Sequence, residues 1–249
     1  IIGMVFAVPL VWFLYRRAVD RELAWKLSGL FVLGGAQGAL GWFMVASGLV
    51  DRPDVSQYRL AAHLFTALVL YAALIWTALD LFRDAHVSNT RAPEPMPDDI
   101  PGDARFAQLC LIVVVAVLLV MLSGAFVAGL DAGLIYNTFP LMEGHLIPPG
   151  LYDTSPWYLN IFENIKTVQF NHRVLAIAFV VLIFATWNQA RHVPMSKRAR
   201  DLANALPAVA VAQAALGIST LLFVVPVPVA IAHQAVALTL FAIALCLAH

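Results

Sequence analysis

Long apolar stretches alternate with short polar ones along the chain, and the apolar stretches have the length of membrane-spanning helices. A spanning helix needs about 20 mostly apolar residues. Seven stretches reach or approach this length, namely 1–15, 27–50, 59–82, 106–130, 168–188, 202–225 and 227–248. The stretch 110–120 is continuously apolar rather than alternating, which favours helices over a β-barrel. Pro226 and Pro228 separate the last two stretches and are expected to end one helix and begin the next.

The composition agrees with a polytopic membrane protein. Hydrophobic residues make up 61% of the 249 residues and charged residues 12%, about half the roughly 25% charged residues of a soluble domain. The 15 Lys and Arg residues balance 15 Asp and Glu residues, which argues against a nucleic-acid-binding protein. Cys110 and Cys246 both lie in apolar stretches, so we expect neither a disulfide framework nor a cysteine-based zinc site.

The basic residues are distributed unequally between the two sides of the predicted helices. Eleven of the 15 fall on one side, and the other four, Arg52, Arg59, Lys166 and Arg173, fall on the opposite side. Because basic residues favour the cytoplasmic side, we expect the first side to face the cytoplasm, or the matrix of a mitochondrion. The loop 131–165 then faces outside, and the Pro- and Asp-rich stretch 86–103 is a flexible inner linker.

A hexapeptide recurs in two of the apolar stretches. Ala-Gln-Gly-Ala-Leu-Gly at 36–41 matches Ala-Gln-Ala-Ala-Leu-Gly at 212–217, and each copy precedes a helix with an early histidine, His63 or His233. The repeat predicts two similar halves. The helix 106–130 and His172 have no counterparts in the first half, and the first stretch is short, so we expect the chain to be a fragment. The predicted fold is an all-α polytopic membrane protein of two pseudo-symmetric four-helix bundles, with seven of the eight helices present.

The corresponding domain division places the N-terminal half at residues 1–85, an inner linker at 86–105 and the C-terminal half at 106–249.

Three of the seven histidines are candidate ligands. His63, His172 and His233 each lie one to two turns inside the outer end of an apolar helix, where polar groups are costly and tend to be functional. Zinc would require three or four close ligands, whereas heme iron is satisfied by one or two axial histidines from facing helices. The pattern therefore favours heme. The other four histidines are interpreted as solvated loop residues, and they are His86, His145, His192 and His249.

Other polar or small residues lie near these histidines. Arg59 and Arg173 are placed either to pair with heme propionates or to extend to the membrane interface. Gln37 and Gln213 are interpreted as interhelical hydrogen bonds. Four glycines suit close helix contact, namely Gly34, Gly35, Gly38 and Gly41.

Four motifs resemble the heme A synthase family, and more narrowly its branch shared by alphaproteobacteria and mitochondria. They are Gln-Tyr-Arg-Leu-Ala-Ala-His at 57–63, Ala-Gly-Leu-Asp-Ala-Gly at 128–133 with Tyr-Asn-Thr-Phe-Pro at 136–140, Val-Gln-Phe-Asn-His-Arg at 168–173, and Ala-His-Gln at 232–234. The resemblance covers nearly the whole chain, with the motifs in order. Members of the family have eight helices in two four-helix halves.

The resemblance implies a role for each candidate ligand. His172 and His233 match the pair that ligates a heme b cofactor, and Arg173 adjoins them as a cofactor-binding residue. His63 matches one of two histidines that bind the substrate heme O, with Arg59 as a substrate-binding residue. All three histidines are then axial ligands of heme iron.

The same resemblance implies that no catalytic residue lies in this chain. The family's leading catalytic candidate is the glutamate of a Glu-x-x-His-Arg motif, which is absent here and expected upstream of Ile1. Gln169 occupies the corresponding place of the second half. Some relatives carry cysteine pairs in the outer loops, but this sequence has none there, so redox control through such a pair is not expected.

The implied activity is oxidation of the C8 methyl of heme O to a formyl by two successive hydroxylations, with heme b relaying electrons. The implied partners are heme O, membrane lipid, the farnesyltransferase that makes heme O, and the assembling terminal oxidase. The implied location is the bacterial or mitochondrial inner membrane, with the hemes toward the outer face. Homo-oligomerisation stays open.

Two rival interpretations stay open as well. A diheme b-type electron-transfer protein would need four axial histidines and no reactive methyl. A transporter with an internal repeat would place polar groups near the midplane, whereas these histidines cluster near one surface.

Overall fold

The structure is a computed structural model that describes residues 1–48, 55–89 and 104–249. Within these ranges the chain forms helices, turns and one long loop, and no strand. The helices are α1 (Ile2–Tyr15), α2 (Arg21–Gly48), α3 (Gln57–Asn89), α4 (Ala104–Gly129), α5 (Ile165–Ala190), α6 (Lys197–Leu222) and α7 (Val227–Ala248). Helices α2 to α7 are long and apolar enough to cross a membrane, whereas α1 has 14 residues. The predicted all-helical polytopic fold is confirmed.

The helix ends follow local capping chemistry. The Asn164 side chain accepts a hydrogen bond from the backbone N–H of Thr167 at the start of α5, and Ser196 accepts one from Ala199 at the start of α6. One proline directly precedes α7 and another lies in its first turn, which confirms the predicted break. Helix α3 continues to Asn89, so residues 86–89, predicted as linker, are helical, and 90–103 lie outside the described residues.

Helices α4 to α7 close into a four-helix bundle. Helix α4 contacts α5 and α7, and α6 contacts the same two helices from the opposite side. The bundle core contains Val113, Ile183, Leu206 and Leu240, all at most 1% exposed, and Leu68 of α3 joins this buried cluster. Helix α3 packs outside the bundle against α4 and α7, while α2 packs on α3 and α1 on α2. The first three helices therefore form an open arc beside a closed bundle.

The two halves touch through their backbones at the outer end. A Cβ atom placed on Gly129, the last residue of α4, would lie only 2.6 Å from the Cα atom of Gln57, the first residue of α3. Beside this contact, the Tyr58 hydroxyl donates to Glu163 Oε1 at 2.9 Å, and the Phe126 ring meets the Tyr58 ring edge-on at 5.8 Å. The start of α3 and the end of α4 are therefore held at one level.

A second junction between the halves lies at the inner end. Asp80 of α3 forms ion pairs with Lys26 of α2, at 3.7 Å, and with Arg83, at 3.4 Å. His249, after α7, has Nε2 3.0 Å from Asp80 Oδ1, and its ring meets the Trp76 ring edge-on at 5.0 Å. The interpretation of His249 as a solvated loop residue is wrong, because these contacts leave its side chain only 12% exposed.

The long loop between α4 and α5 folds over the outer end of the closed bundle. It contains two short 3₁₀ turns, Ala132–Leu134 and Trp157–Ile161. The fully buried Asn160 donates to two loop carbonyls, and Asn137 donates to the carbonyl of Leu221 at the end of α6, at 2.8 Å. Because these amides pair with backbone carbonyls, the loop is a folded cover for the histidine end of the bundle.

Candidate functional site

The three candidate histidines lie at the same depth. His63, His172 and His233 follow the first residue of α3, α5 and α7 by six, seven and six positions. The outer ends of α3 and α4 meet at Gly129, and the loop after α4 contacts the start of α5 and the end of α6. The structure therefore places all three histidines near one end of the molecule, one to two turns inside it.

Each imidazole lies directly against a glycine of the preceding helix. A Cβ atom on these glycines would lie 2.9, 3.2 and 2.8 Å from the Cε1 atom of the facing ring. The pairs, in the same order, are Gly41 with His63, Gly124 with His172, and Gly217 with His233. A Cβ atom at the two shorter distances would force a shift, and one at 3.2 Å would be unusually tight, so glycine lets each ring rest on helix backbone.

The prediction that four glycines of α2 mediate close helix contact holds only in part. Gly41 contacts His63, and Gly34 has the Leu70 side chain 3.9 Å from its Cβ position. Gly35 and Gly38 face open space, so the prediction is wrong for these two. They lie on the exposed side of α2.

The repeated hexapeptide is the contact surface of two histidines. Gln37 Nε2 lies 3.3 Å from His63 Nε2 and donates to the His63 carbonyl at 3.1 Å. Gln213 Nε2 lies 3.4 Å from His233 Nε2. Glutamine and glycine are four residues apart in each copy, so both face the same ring. The interpretation of these glutamines as interhelical hydrogen bonds is confirmed.

His172 has a different neighbour. Its Nδ1 atom lies 2.7 Å from Ser123 Oγ, and that hydroxyl also donates to the Val120 carbonyl at 2.7 Å. Because the hydroxyl has one proton, which the carbonyl receives, it accepts the proton of Nδ1. Nε2 of His172 then keeps its lone pair, the state that a metal requires.

Sequence reasoning missed Ser123 and Gly124. The signal for them is a Ser-Gly pair inside the otherwise continuously apolar stretch of α4. Such a pair suits any close contact between helices, so the sequence does not identify the residue that these two contact. The structure supplies His172 as that partner.

The two arginines have partners within the chain. Arg173 donates to the carbonyls of Tyr136 and Thr138, at 2.7 and 2.8 Å, and to Gln169 Oε1 at 3.2 Å. Gln169 in turn donates to the carbonyl of Ala132 at 2.8 Å. These two side chains therefore anchor the start of the outer loop to α5.

Arg59 lies one turn before His63, with its guanidinium 5.0 Å from the centre of the Phe43 ring. Phe43 is two residues after Gly41, so Arg59 caps the same contact between α2 and α3 on the outer side.

Buried polar atoms without a hydrogen-bond partner concentrate around the histidines. Among the described residues they are His63 Nδ1, His233 Nδ1, Gln37 Oε1, Gln213 Oε1 and Arg173 Nε. A buried polar atom left unpaired costs roughly 1–3 kcal/mol, and native proteins contain few of them. Their concentration at the histidines fits a site that receives a further group with metal and polar atoms.

The donor set fits heme better than a bare metal ion. Within residues 1–48, 55–89 and 104–249 no three His, Cys, Asp or Glu side chains gather to hold an ion. Two imidazoles from facing helices, lying against glycines and surrounded by apolar helix surfaces, match the axial ligation of an iron porphyrin.

Comparison with known proteins identifies the family. The family model COX15-CtaA, described as cytochrome oxidase assembly protein, matches residues 1–245. The chain is 48% identical over its full length to the heme A synthase of Nitrosospira multiformis and 46% identical to that of Parvibaculum lavamentivorans, and it spans 67% of each. It is 43% identical, over 98% of its length, to heme A synthase COX15 of Bos taurus, of which it spans 59%. The chain therefore belongs to the COX15-CtaA family, which confirms the resemblance to heme A synthase.

Proposed function

We propose that this protein is a heme A synthase, a membrane oxidoreductase that oxidises the C8 methyl of heme O to a formyl by two successive hydroxylations. The observation that carries the proposal is the pair His172 and His233, which lie at matching depth on two helices of one closed bundle, each against a glycine. Family membership supports the same activity.

His172 and His233 would hold a heme b cofactor between α5 and α7. Ser123 presets the tautomer of His172 with Nε2 available, and Gly124 and Gly217 let the two rings lie against α4 and α6. Heme b ligated by two histidines supplies a reversible one-electron carrier. The folded outer loop shields this end from water, and the unpartnered Nε of Arg173 is a donor for a heme propionate.

His63 would bind the substrate heme O in the N-terminal half, with Arg59 as the outer donor to its carboxylates. The proposed substrate site would lie among the helices of the N-terminal half, and the proposed cofactor site within the bundle of α4 to α7. The proposed domain division keeps an N-terminal and a C-terminal half, but because α3 runs to Asn89 and α4 begins at Ala104, the linker between them shortens to 90–103. Gln169 has a structural role in the C-terminal half, because its amide donates to loop carbonyls.

The proposed location is the inner membrane of a bacterium or mitochondrion, with the histidine end outward. The multi-pass helices place the chain in a membrane, and the excess of basic residues at the other end supports this orientation. The proposed partners are the farnesyltransferase that makes heme O and the assembling terminal oxidase.

The test is to express the full-length protein in a host that makes heme O, extract the hemes, and identify them by chromatography and mass. We expect heme A or the hydroxymethyl intermediate in the wild type and neither in His63→Ala. Recovery of heme b alone from the wild type would favour the diheme electron-transfer protein and contradict the proposal. A preparation without heme would remove the ligand assignments as well.

A further inference from the structure

We propose that Gln37 competes with iron for His63, so that the substrate site releases its heme readily. This inference rests on the proposed function, because it takes His63 as an axial ligand of the substrate. It assigns a role to the glutamine of the repeated hexapeptide, one turn before the glycine that receives the ring.

The competition follows from the atoms in contact. The Gln37 amide nitrogen lies 3.3 Å from Nε2 of His63 and, as an N–H donor, can use only the lone pair of that nitrogen. Nδ1 of the same ring lies buried with no partner among the described residues. Iron ligated through Nε2 needs that same lone pair, so the amide and the iron exclude each other.

Gln37 has a second contact that keeps it in place. Its amide nitrogen also donates to the backbone carbonyl of His63, at 3.1 Å. This bond does not involve the imidazole and persists when the ring turns to iron. The amide therefore stays beside the ligand and returns to Nε2 as soon as the heme leaves.

Ser123 shows the opposite arrangement at the cofactor site. It contacts Nδ1 of His172 and leaves Nε2 available, which strengthens an imidazole as a ligand. Gln213 contacts Nε2 of His233 at 3.4 Å, as Gln37 does at His63. Of the three histidines, His172 is therefore preset for iron, whereas His63 and His233 are each capped by an amide. A preset His172 suits a cofactor that stays, and a capped His63 suits a substrate that leaves.

The test measures heme release rather than turnover. Full-length protein loaded with ferric heme O is mixed with excess apomyoglobin, which captures the released heme, and the release rates are read from the absorbance change. We expect a fast phase from the substrate site and a slow phase from heme b. His63→Ala should remove the fast phase, which identifies it.

Gln37→Leu should slow the fast phase roughly fivefold, the factor contributed by one neutral hydrogen bond. Gln37→Asn, whose shorter amide cannot reach the ring, should slow it similarly. Ala36→Leu, which places the same leucine side chain on the exposed side of α2, should not change it. The heme b spectrum of each variant serves as the internal check of folding.

Faster or unchanged release in Gln37→Leu would overturn the competition. If the amide only oriented the ring, its removal would weaken the binding of heme and would speed up release. In that case, a fast phase that is present in Gln37→Leu and is abolished by His63→Ala would still support the proposed function. A fast phase that survives His63→Ala would instead contradict His63 as the substrate ligand. If Gln37→Leu does not fold, Gln213→Leu gives the same test at heme b, where slower release is expected and faster or unchanged release refutes the idea.

Discussion

The N-terminal and C-terminal histidine sites share one scaffold but differ in how the ligand is held. In both halves an imidazole rests on a glycine of the preceding helix. His63 meets an amide at Nε2, whereas His172 meets a hydroxyl at Nδ1. Under the proposed function, the first contact occupies the nitrogen that would bind iron, and the second leaves it available. His233 has the same amide contact as His63, through Gln213, so the hydroxyl of Ser123 is what distinguishes His172 from the other two histidines.

The surroundings of the two sites differ in the same sense. The C-terminal site lies in a closed ring of four helices under a folded loop, and its Arg173 and Gln169 hold that loop. The described part of the N-terminal half is an arc of three helices, in which α1 contacts α2. Under the proposed function, the closed C-terminal bundle suits a bound cofactor.

Removing one of the candidate axial histidines should have the largest effect and should separate the two sites most clearly. His233→Ala leaves the C-terminal site with one ligand, so we expect nearly complete loss of the low-spin heme b spectrum. His63→Ala should leave that spectrum largely in place while lowering product formation. Reduced-minus-oxidised spectra and heme content per protein measure both. His145→Ala, in the outer loop, is the control, and an unchanged spectrum in His233→Ala would refute the ligand assignment.

Filling a glycine should have the next largest effect. In Gly217→Ala the new methyl lies 2.8 Å from His233 Cε1, and such overpacking costs typically 1–3 kcal/mol. We expect a several-fold lower heme b content, whereas Gly41→Ala should spare heme b and lower product. Gly38→Ala is the matched control, because nothing lies within 4 Å of its Cβ position. Equal damage from Gly38→Ala would show that the ring contact is not the cause.

Ser123→Ala tests whether the hydroxyl beside His172 strengthens heme binding, in contrast to the amide beside His63. The variant removes the acceptor of the His172 Nδ1 proton, and loss of such an outer partner weakens metal binding about 10- to 100-fold. Release of heme b to apomyoglobin should therefore speed up at least about tenfold. Ser123→Thr, which keeps the hydroxyl, should restore slow release. Heme b released from Ser123→Ala at the wild-type rate would contradict the role of Ser123.

The smallest effect is expected far from both sites. Asp80→Asn weakens the inner junction with His249, Lys26 and Arg83. Partly exposed ion pairs contribute about 0–1 kcal/mol, so the melting temperature should fall by roughly 1–3 °C. Both heme spectra should stay unchanged. Asp201→Asn, exposed on α6, is the control, and altered heme b in Asp80→Asn would mean that the inner junction also shapes the cofactor site.

Much of this architecture could be predicted from the hydrophobic pattern and the internal repeat of the sequence. The apolar stretches predict the helices because a spanning segment must be long and apolar whatever it contacts. The hexapeptide repeat predicts the equivalence of His63 and His233, because the same glutamine and glycine precede the histidine-bearing helix in each half. The depth of all three histidines follows from counting along each helix.

The remaining features depend on contacts between elements far apart in sequence. Ser123 and Gly124 face His172 only because α4 and α5 pack in one register. The carbonyls bound by Arg173 belong to an irregular loop whose course has no periodic signal. His249 lies close to Asp80 because α3 and α7 meet at the inner end. Pattern alone does not specify such long-range contacts.

The backbone contact between Gly129 and Gln57 has a consequence for electron tunnelling. Tunnelling rates fall exponentially with distance, so an enzyme that passes electrons between two porphyrins must keep their spacing constant. Under the proposed function, the spacing of the two hemes would be set where two main chains touch, rather than by side chains that change rotamer. A side chain at position 129 would then push α3 and α4 apart, lengthen the path and slow the transfer.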